Sequence, residues 1–256
     1  MNPLDTFSNL SDPRSDHTKV YPLRSIVFLT IAAVVAGAET WVDVEEFGNE
    51  SLEWVKNYVE CPDDRIPSHD TIGDFFKRLD PDQFQECFIN WTSEVCGISS
   101  GELIALDGKR LRGSYDRSAG KSAIHLVSAW ACSNQMVLGQ VKVDDKSNEI
   151  TAIPRLLELL DLKGAIISID AMGCQKSIAK QIIEEEADYI LALKNNQAGL
   201  LEQVDAQFSF AVPGSEDETI EKGHGRIETR RCSGITGLKL VDEAENWKGI
   251  KAIVRI

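Results

Sequence analysis

The sequence predicts an α/β protein in which a small all-helical domain precedes a domain built on a mixed β-sheet. Apolar residues recur at helical spacing between Pro22 and Cys96. The spacing changes to that of strands after the segment GISSGE at 97–102, and strand patterns then alternate with helical ones as far as Phe210. With 256 residues, of which 43% are hydrophobic, the chain is long enough to bury a sizeable core.

In the first part of the chain we expect a polar arm over residues 1–20 and a helical domain over residues 21–97. The apolar run 26–38 suits a buried helix and is too short to span a bilayer. Ser68 or Asp70 can cap a second helix that ends near Leu79. The remaining predicted helices cover residues 42–47, 52–59 and 84–95.

Residues 101–256 are expected to form the second domain. Its predicted strands cover 103–106, 123–132, 136–143, 165–169 and 188–193, and its helices cover 148–160, 175–186 and 198–208. Three leading strands followed by helix, strand, helix, strand and helix make a ribonuclease H-like plan, a mixed sheet in which the first and fourth strands are parallel neighbours.

After Phe210 we expect an acidic loop over 211–221 and strands over 223–232 and 250–256. The last predicted strand runs into the final residue. Because a domain rarely stops inside a core strand, we expect the ribonuclease H-like domain to be incomplete at its C-terminus.

The charge of the chain argues against indiscriminate nucleic-acid binding. The net charge is −14, and residues 1–100 carry 7 Lys and Arg against 18 Asp and Glu, whereas residues 101–256 carry 20 against 23. A local basic site in the second domain is still compatible with this distribution.

Other classes of protein are excluded by missing motifs. The six cysteines are at least nine residues apart, which argues against a structural zinc site. The chain has no P-loop and neither a GxGxxG nor a GxSxG motif, so no nucleotide cofactor and no Ser/His/Asp hydrolysis is expected. The polar, acidic N-terminus does not look like a signal peptide, and we expect a cytoplasmic protein with reduced thiols.

Two aspartates are the main candidates for chemistry. Asp107 follows the first predicted strand in LIALDGKRLRGS, and Asp170 follows the fourth in IISIDAMGCQ. Asp107-Gly108 is also typical of a tight turn, and Asp170 is also a candidate helix N-cap. If both end neighbouring parallel strands, their carboxylates share one cleft and can hold Mg²⁺ or Mn²⁺.

Basic and polar residues near the two aspartates are candidate phosphate or base contacts. Lys109, Arg110 and Arg112 follow Asp107, and Lys194, Asn196 and Gln197 follow the fifth strand at the same edge of the predicted sheet. The second group also fits a simple polar lead-in to the next helix.

The segment HGRIETRR at 224–231 reads as a strand with alternating charges. Arg226, Glu228 and Arg230 share one face of it. Such a strand is typical of a solvated surface with cross-strand ion pairs. Alternatively, Glu228 serves as a third metal ligand and the arginines contact phosphate.

Several long segments resemble the DDE transposases of bacterial insertion sequences, and in particular the group containing the H-repeat-associated proteins of Rhs elements. In the second domain these segments are LDGKRLRGS, HLVSAW, GQVKVDDKSNEITAIPRLLELLDLKG, IDAMGCQKSIAKQI, ADYILALKNNQ and GHGRIETR. In the first domain they are DPR, WVDVEEFG, IPSHDTIGDFFKRLDP and CFINW, which resemble the helical domain that accompanies this transposase.

The resemblance implies a metal-dependent transposase that cuts phosphodiester bonds at the ends of an element and transfers the strand to target DNA. It implies a triad of two Asp and one Glu with two divalent ions, in which Asp107 matches the first acid and Asp170 the second. The third is either Glu228 or a glutamate beyond residue 256. Asn195 stands where the family has Gly. The implied partners are double-stranded DNA at element ends and target, and a second copy of the chain on that DNA, with no membrane.

Two other functions remain open from the sequence. One is a ribonuclease H-like nuclease such as a resolvase, which hydrolyses DNA without joining strands. The other is a truncated remnant that has lost catalysis and binds only DNA or protein.

Overall fold

The computed structural model describes residues 3–111, 114, 123–143, 148–223 and 226–256. The chain divides into two compact units, Met1–Val95 and Cys96–Ile256. The first unit is helical and the second contains two β-sheets with helices, so the mixed α/β class predicted from the sequence is confirmed.

In the described part of the first unit there are five α-helices: α1 Leu23–Val35, α2 Trp41–Glu50, α3 Leu52–Val55, α4 His69–Arg78 and α5 Pro81–Val95. Two helix starts have clear local causes. The Thr40 hydroxyl accepts from the Asp43 N–H while the Asp43 carboxylate accepts from the Thr40 N–H, which is a capping box for α2. The Ser68 hydroxyl caps α4 by accepting from the Thr71 N–H.

Residues 3–10 contribute apolar side chains to the core of this unit, which differs from the polar arm predicted over residues 1–20. A 3-10 helix over Pro3–Asn9 places Leu4, Phe7 and Leu10 on one side, each 6% exposed or less. The Phe7 ring lies 5.9 Å from that of Phe84 in α5. Three-residue spacing of the apolar side chains explains the burial, because the polar residues between them face solvent.

Glu45 in α2 and His69 at the start of α4 form a hydrogen-bonded pair that links the two helices. Glu45 accepts from the His69 backbone N–H at 2.7 Å, and the His69 ring lies within hydrogen-bond distance of the same oxygen. The hydrogen bond from the His69 backbone, followed by that from the ring, lowers the pKa of Glu45. The hydrogen bond to the Glu45 carboxylate raises the pKa of His69.

This pair predicts a pH-dependent contribution to stability. Because the pKa of His69 is higher in the folded than in the unfolded chain, its protonated form stabilises the fold fully below about pH 6.5. This contribution is lost as the pH rises through the pKa of the folded protein. A lowered Glu45 pKa stabilises it above about pH 4.5 and less as the pH falls. Glu45→Gln is therefore expected to lower the free energy of unfolding more at pH 5.5 than at pH 9, measured by urea unfolding of the full chain. The neighbouring Glu46→Gln is the control, and an equal loss at both pH values would contradict the assignment.

The second unit is centred on a five-stranded sheet. Its strands are β1 Leu103–Arg110, β2 His125–Ala131, β3 Met136–Lys142, β4 Ile166–Ile169 and β5 Asp188–Leu191. They lie in the order β3-β2-β1-β4-β5; β1, β2 and β3 pair antiparallel, and β1, β4 and β5 pair parallel. The helices of this unit are α6 Glu149–Glu158, α7 Lys176–Glu184 and α8 Ala198–Phe210.

The two faces of this sheet differ in burial. Ile104, Leu106, Ile167 and Ile169 lie on one face and are each 4% exposed or less. The opposite face carries the row Val137, Trp130, Ala105, Ser168 and Ile190, one residue from each strand, and Trp130 and Ile190 in it are exposed. The buried face therefore carries the packing, and the other face is accessible.

A second, three-stranded antiparallel sheet follows, with β6 Ser215–Gly223, β7 Arg226–Ile235 and β8 Ile253–Arg255. The strand β6 corrects the predicted acidic loop over 211–221. Two of its four acids form ion pairs across the hairpin, Glu218 with Arg231 and Glu221 with Arg230, and these pairs stabilise the strand pairing of an acidic segment.

The strand β1 is longer than predicted. Asp107 pairs with Ser128 and Gly108 pairs with Val127 in the antiparallel ladder, so Asp107-Gly108 is not a turn and does not end the strand. The β2 partner continues past this point and supplies the ladder that extends β1 to Arg110. Among the described residues, no helix is long and apolar enough to cross a membrane.

Candidate active site

Asp107 and Asp170 are neighbours on the two central strands β1 and β4, at the point where the parallel pairing of these strands ends. The parallel register of β1 and β4 ends at Leu106 opposite Ile169, and the two aspartates are the next residues on the two strands. Leu106 and Ile169 point to the buried face, and Asp170 keeps an extended backbone. Because successive side chains alternate between faces, both carboxylates project from the accessible face, on strands about 4.8 Å apart.

The two carboxylates differ in their hydrogen bonds to the rest of the protein. The Asp170 Oδ1 atom accepts from the Met172 N–H at 2.9 Å and caps the 3-10 turn Ala171–Gly173, so the N-cap role open from the sequence is real. Asp107 is exposed and has no hydrogen-bond or ion-pair partner in the described part of the chain. At least three carboxylate oxygens are therefore available on this face, and without a cation the two groups repel each other.

The turn after Asp170 depends on Gly173. A Cβ added there would overlap the Cγ2 methyl of Ile169 and lie 3.1 Å from Ile153 Cδ1 in α6. The absence of a side chain lets the turn pack directly onto the end of β4, which holds the Asp170 backbone in place.

Gly173→Ala is therefore expected to destabilise the chain by about 1–3 kcal/mol through overpacking and to displace the Asp170 carboxylate. Urea unfolding measures the first effect. Gly199→Ala is the matched control, because Gly199 lies in α8 with no atom within 4 Å of the added Cβ. A Gly173→Ala protein as stable as the Gly199→Ala protein would contradict the packing described for this turn.

The predicted basic residues after Asp107 continue along β1. Lys109 lies two residues beyond Asp107 on the same face, and Arg110 points to the other face, opposite His125 in the ladder. Both are exposed. Arg112, the third predicted contact, lies outside the described residues.

A second polar pair lies against Gly108, on the face of the sheet opposite to Asp107, and was not found from the sequence. The Glu149 Oε1 atom at the start of α6 lies 2.7 Å from His125 Nε2, and both side chains are mostly buried. The Glu149 carboxylate occupies the space that a side chain at Gly108 would fill. The sequence signal was weak, since His125 and Glu149 are 24 residues apart and Gly108 reads as half of a turn.

The polar residues after β5 form hydrogen bonds to the loop that follows Asp170. The Asn196 side-chain amide donates to the Ala171 carbonyl, and the Gln197 amide donates to the Cys174 carbonyl at 2.9 Å. These bonds join the segment that leads into α8 to the turn that follows Asp170. Lys194 is exposed and has no ion-pair partner among the residues described.

Glu228 lies in a different sheet from the two aspartates. It sits in β7, where Arg230 donates to Glu228 Oε2 and to Glu221 Oε2, each at 3.0 Å. The Arg230–Glu221 pair crosses from β7 to β6, as in the ion-paired strand that the sequence left open, whereas the Arg230–Glu228 pair lies within β7. Arg226 begins β7, and its side chain lies outside the described part of the structure.

Within the described ranges, no three His, Cys, Asp or Glu side chains form a group that could hold a metal ion. Asp107 and Asp170 lie on adjacent strands of one sheet, whereas Glu228 lies in β7 of the other sheet. The nearby Cys174 offers no nucleophile at neutral pH, because burial raises the pKa of its thiol to about 11.

Comparison with known families matches both units of the chain. Residues 98–253 match the family described as Transposase DDE domain, and residues 4–92 match the one described as DDE_Tnp_1-associated. The first match includes β1, β4 and both aspartates.

Several curated bacterial proteins are similar over most of the chain. "Putative transposase YncI" of Escherichia coli O157:H7 is 46% identical over 98% of this chain and 65% of its own length. "Putative transposase YncI" of E. coli K12 is 48% identical over 89% of this chain and 93% of its own length. "H repeat-associated putative transposase YhhI" of the same strain is 41% identical over 98% of this chain and 67% of its own length. The chain thus spans about two thirds of the first and third of these relatives.

Among solved structures, a piggyBac transposase synaptic complex with hairpin DNA aligns with a TM-score of 0.40 and 13% identity over 81% of this chain and 50% of that one. The family rests instead on the sequence matches, one of which covers more than half of the chain and confirms the resemblance seen in its motifs. The chain belongs to the bacterial DDE transposases, and its DDE domain follows the associated helical domain in sequence.

Proposed function

We propose that this chain cuts DNA at the ends of an insertion sequence and joins the freed strand to target DNA, in a metal-dependent reaction on a ribonuclease H-like domain. One observation carries the proposal. The chain places Asp107 and Asp170 on adjacent parallel strands, facing the same accessible side of the sheet. The order β3-β2-β1-β4-β5, with its antiparallel hairpins and parallel centre, supports the ribonuclease H-like assignment.

The two aspartates fit a hard divalent cation. They offer carboxylate oxygens, the ligands that Mg²⁺ and Mn²⁺ take in proteins, and Asp107 has no competing partner among the described side chains. A bound cation supplies Lewis-acid activation and charge neutralisation for phosphoryl transfer. Among the described residues, Asp107 and Asp170 are the two carboxylates offered to the cation, so water would supply most of its other ligands, and we expect weak Mg²⁺ binding and slow cutting by this chain.

The other residues of the site act on the DNA backbone. We propose that Lys109 neutralises a phosphate beside the scissile bond, which is supported by its position two residues beyond Asp107 on the same face of β1. We propose Arg110, Arg112 and Lys194 as further phosphate contacts, of which Arg110 and Lys194 are exposed. Phosphate contacts of this kind fix the position of a duplex without reading its sequence. Because two element ends have to be held together, we propose that the active form is a dimer on DNA.

A strand-transfer assay tests this function. Purified full-length chain is incubated with Mn²⁺, a target plasmid and a linear DNA that carries the genomic sequence flanking its coding region on both sides. We expect nicks at defined positions in the flanks and joined products with the target. Cutting at these positions without joining would favour a nuclease or resolvase, and the absence of both products would contradict a catalytic role.

A non-catalytic remnant that binds DNA or protein is the second candidate. It is favoured by one observation, namely that in the described ranges no third carboxylate joins Asp107 and Asp170, since Glu228 is bound to Arg230 in another sheet. A remnant would retain the flanking DNA in a binding assay and give neither nicks nor joined products with Mn²⁺.

A further inference from the structure

The accessible face of the five-stranded sheet carries a row of basic residues next to the row that contains Asp107. In the antiparallel ladders, Lys109 in β1 lies opposite Leu126 in β2, and Leu126 lies opposite Lys142 in β3. Directly opposite residues share a face of the sheet, so both lysines lie on the face of Asp107. Because β3 is two strand spacings from β1, the backbone positions of the two lysines are about 10 Å apart.

The row that contains Asp107 continues with uncharged polar residues. Ser128 lies opposite Asp107, and Gln140 in β3 lies opposite Ser128. Gln140 is exposed, and its side-chain amide has no hydrogen-bond partner in the described part of the chain. An amide N–H can donate to a phosphate oxygen, so the face offers a hydrogen-bond donor beside the two cations.

The hairpin formed by β2 and β3 is free of acids in a chain that is acidic overall. Its strands, His125–Ala131 and Met136–Lys142, contain no Asp or Glu, although the chain has 41 of these residues. Lys109 and Lys142 are exposed, and neither forms an ion pair with a described residue. An anion that approaches this part of the face therefore meets two available cations and no carboxylate from the hairpin.

We propose that Gln140 and Lys142 bind phosphates of the DNA strand whose scissile bond lies at the two aspartates. This inference rests on the proposed function and adds a phosphate-binding site to it. The strand crosses the sheet from β4 over β1 and β2 to β3, and Lys109 lies between the aspartates and Lys142 on this path. One strand of a duplex advances about 3.4 Å per nucleotide, so a path of about 10 Å places Lys142 at a phosphate about three nucleotides from the scissile bond.

The position of the basic row favours DNA over an acidic protein segment as the bound anion. The row begins at Lys109, two residues from Asp107 in the same strand, so a polyanion held at the aspartates continues directly onto it. DNA carries evenly spaced charges along its backbone, and it can therefore occupy the aspartate site and both lysines at once. An acidic protein segment has no such requirement to reach the two aspartates.

The salt dependence of DNA binding tests Lys142 without strand cleavage. The full chain is titrated in Ca²⁺, at several NaCl concentrations, with duplex DNA from the regions that flank its coding sequence. For Lys142→Gln we expect the slope of log affinity against log salt to fall by about 0.9, and the affinity to fall about eightfold at about 0.1 M salt. Lys142→Arg keeps the charge and should stay within about twofold of the unchanged chain.

Two further variants separate charge from hydrogen bonding and from position. Gln140→Ala should weaken binding by about threefold without changing the salt slope, because an amide carries no charge. Lys239→Gln is the matched control, because Lys239 is exposed and lies between β7 and β8, outside the five-stranded sheet. It should leave affinity and slope unchanged. Thermal unfolding of each variant checks that it is folded.

A set of duplexes with one neutral methylphosphonate linkage each locates the contact. The linkage that is cut in Mn²⁺ is mapped on the same DNA. At the phosphate bound by Lys142, the neutral linkage and Lys142→Gln together should cost no more affinity than either change alone, because both remove the same interaction. We expect this coupling about three nucleotides from the cut, on one side of it, and at no phosphate for Lys239→Gln.

An unchanged affinity and salt slope in Lys142→Gln, or losses that add at every phosphate, would overturn this contact. Coupling to a phosphate far from the cut would overturn the path across the sheet. If Lys142→Gln changed only self-association in sedimentation and not DNA binding, the row would bind an acidic surface of a second copy, which also overturns the proposal. Coupling to one phosphate without any cut in Mn²⁺ would support the contact and contradict the proposed reaction, so the two proposals fail in different ways.

Discussion

Replacement of Asp170 by Asn is expected to slow Mn²⁺-dependent DNA cleavage by about a thousandfold, because a neutral amide gives up the charge that holds the cation and stabilises the transition state. The fold should survive this change. The Asn side-chain carbonyl can still accept from the Met172 N–H, so the cap of the turn is retained. The same loss is expected for Asp107→Asn, since Asp107 is exposed and its side chain supports no other described residue.

The matched control is Glu228→Gln, which removes a carboxylate from a motif without touching the pair. Because Glu228 is bound to Arg230 in the three-stranded sheet, we expect cleavage by this variant to stay within about twofold of the unchanged chain. Circular dichroism of all three proteins checks their folding. An Asp170→Asn protein that still nicks the flanking DNA at the rate of the unchanged chain would contradict the assignment of the site.

Replacement of Phe7 by Ala is expected to lower the free energy of unfolding by about 3–5 kcal/mol, the usual cost of deleting a fully buried aromatic side chain. Phe7 is completely buried, and its ring contacts those of Phe84 and Trp91 in α5. Urea unfolding of the full chain, followed by tryptophan fluorescence, measures the change.

Asn9→Ala in the same 3-10 helix is the control, because Asn9 is exposed, and a change within about 0.5 kcal/mol is expected there. If Phe7→Ala were as harmless as Asn9→Ala, residues 3–10 would behave like part of the polar arm predicted from the sequence. The packing described for Phe7 would then be wrong.

The parts of the site that could be predicted from sequence are those with strong local patterns. The run AIISI before Asp170 has no polar interruption except Ser168, which is typical of a strand buried in a parallel sheet, and β4 lies there. The neighbouring position of Asp107 followed from the order of elements and from the right-handed connections between parallel strands.

The parts that could not be predicted depend on contacts distant in sequence. Asp107-Gly108 carries the residue types of a turn, and only pairing with Ser128 and Val127 shows that the strand continues. The acidic stretch SEDETIE looks like a loop until β7 pairs with it, which places Arg231 opposite Glu218 and brings Arg230 within ion-pair distance of Glu221. In both cases the tertiary partner overrides the local preference.

The most direct test of the two-aspartate site is a Mn²⁺ titration followed by electron paramagnetic resonance, using the full chain and the double variant Asp107→Asn/Asp170→Asn. Exposed acids elsewhere also attract Mn²⁺, so a chain with Glu216→Gln and Asp217→Asn in β6 serves as the control. We predict that the unchanged chain and the β6 control bind Mn²⁺ equally and release it to excess Mg²⁺, whereas the double variant binds it at least about tenfold more weakly, as expected when a cation loses its charged ligands. Equal Mn²⁺ binding by all three proteins would contradict the claim that Asp107 and Asp170 form the metal site.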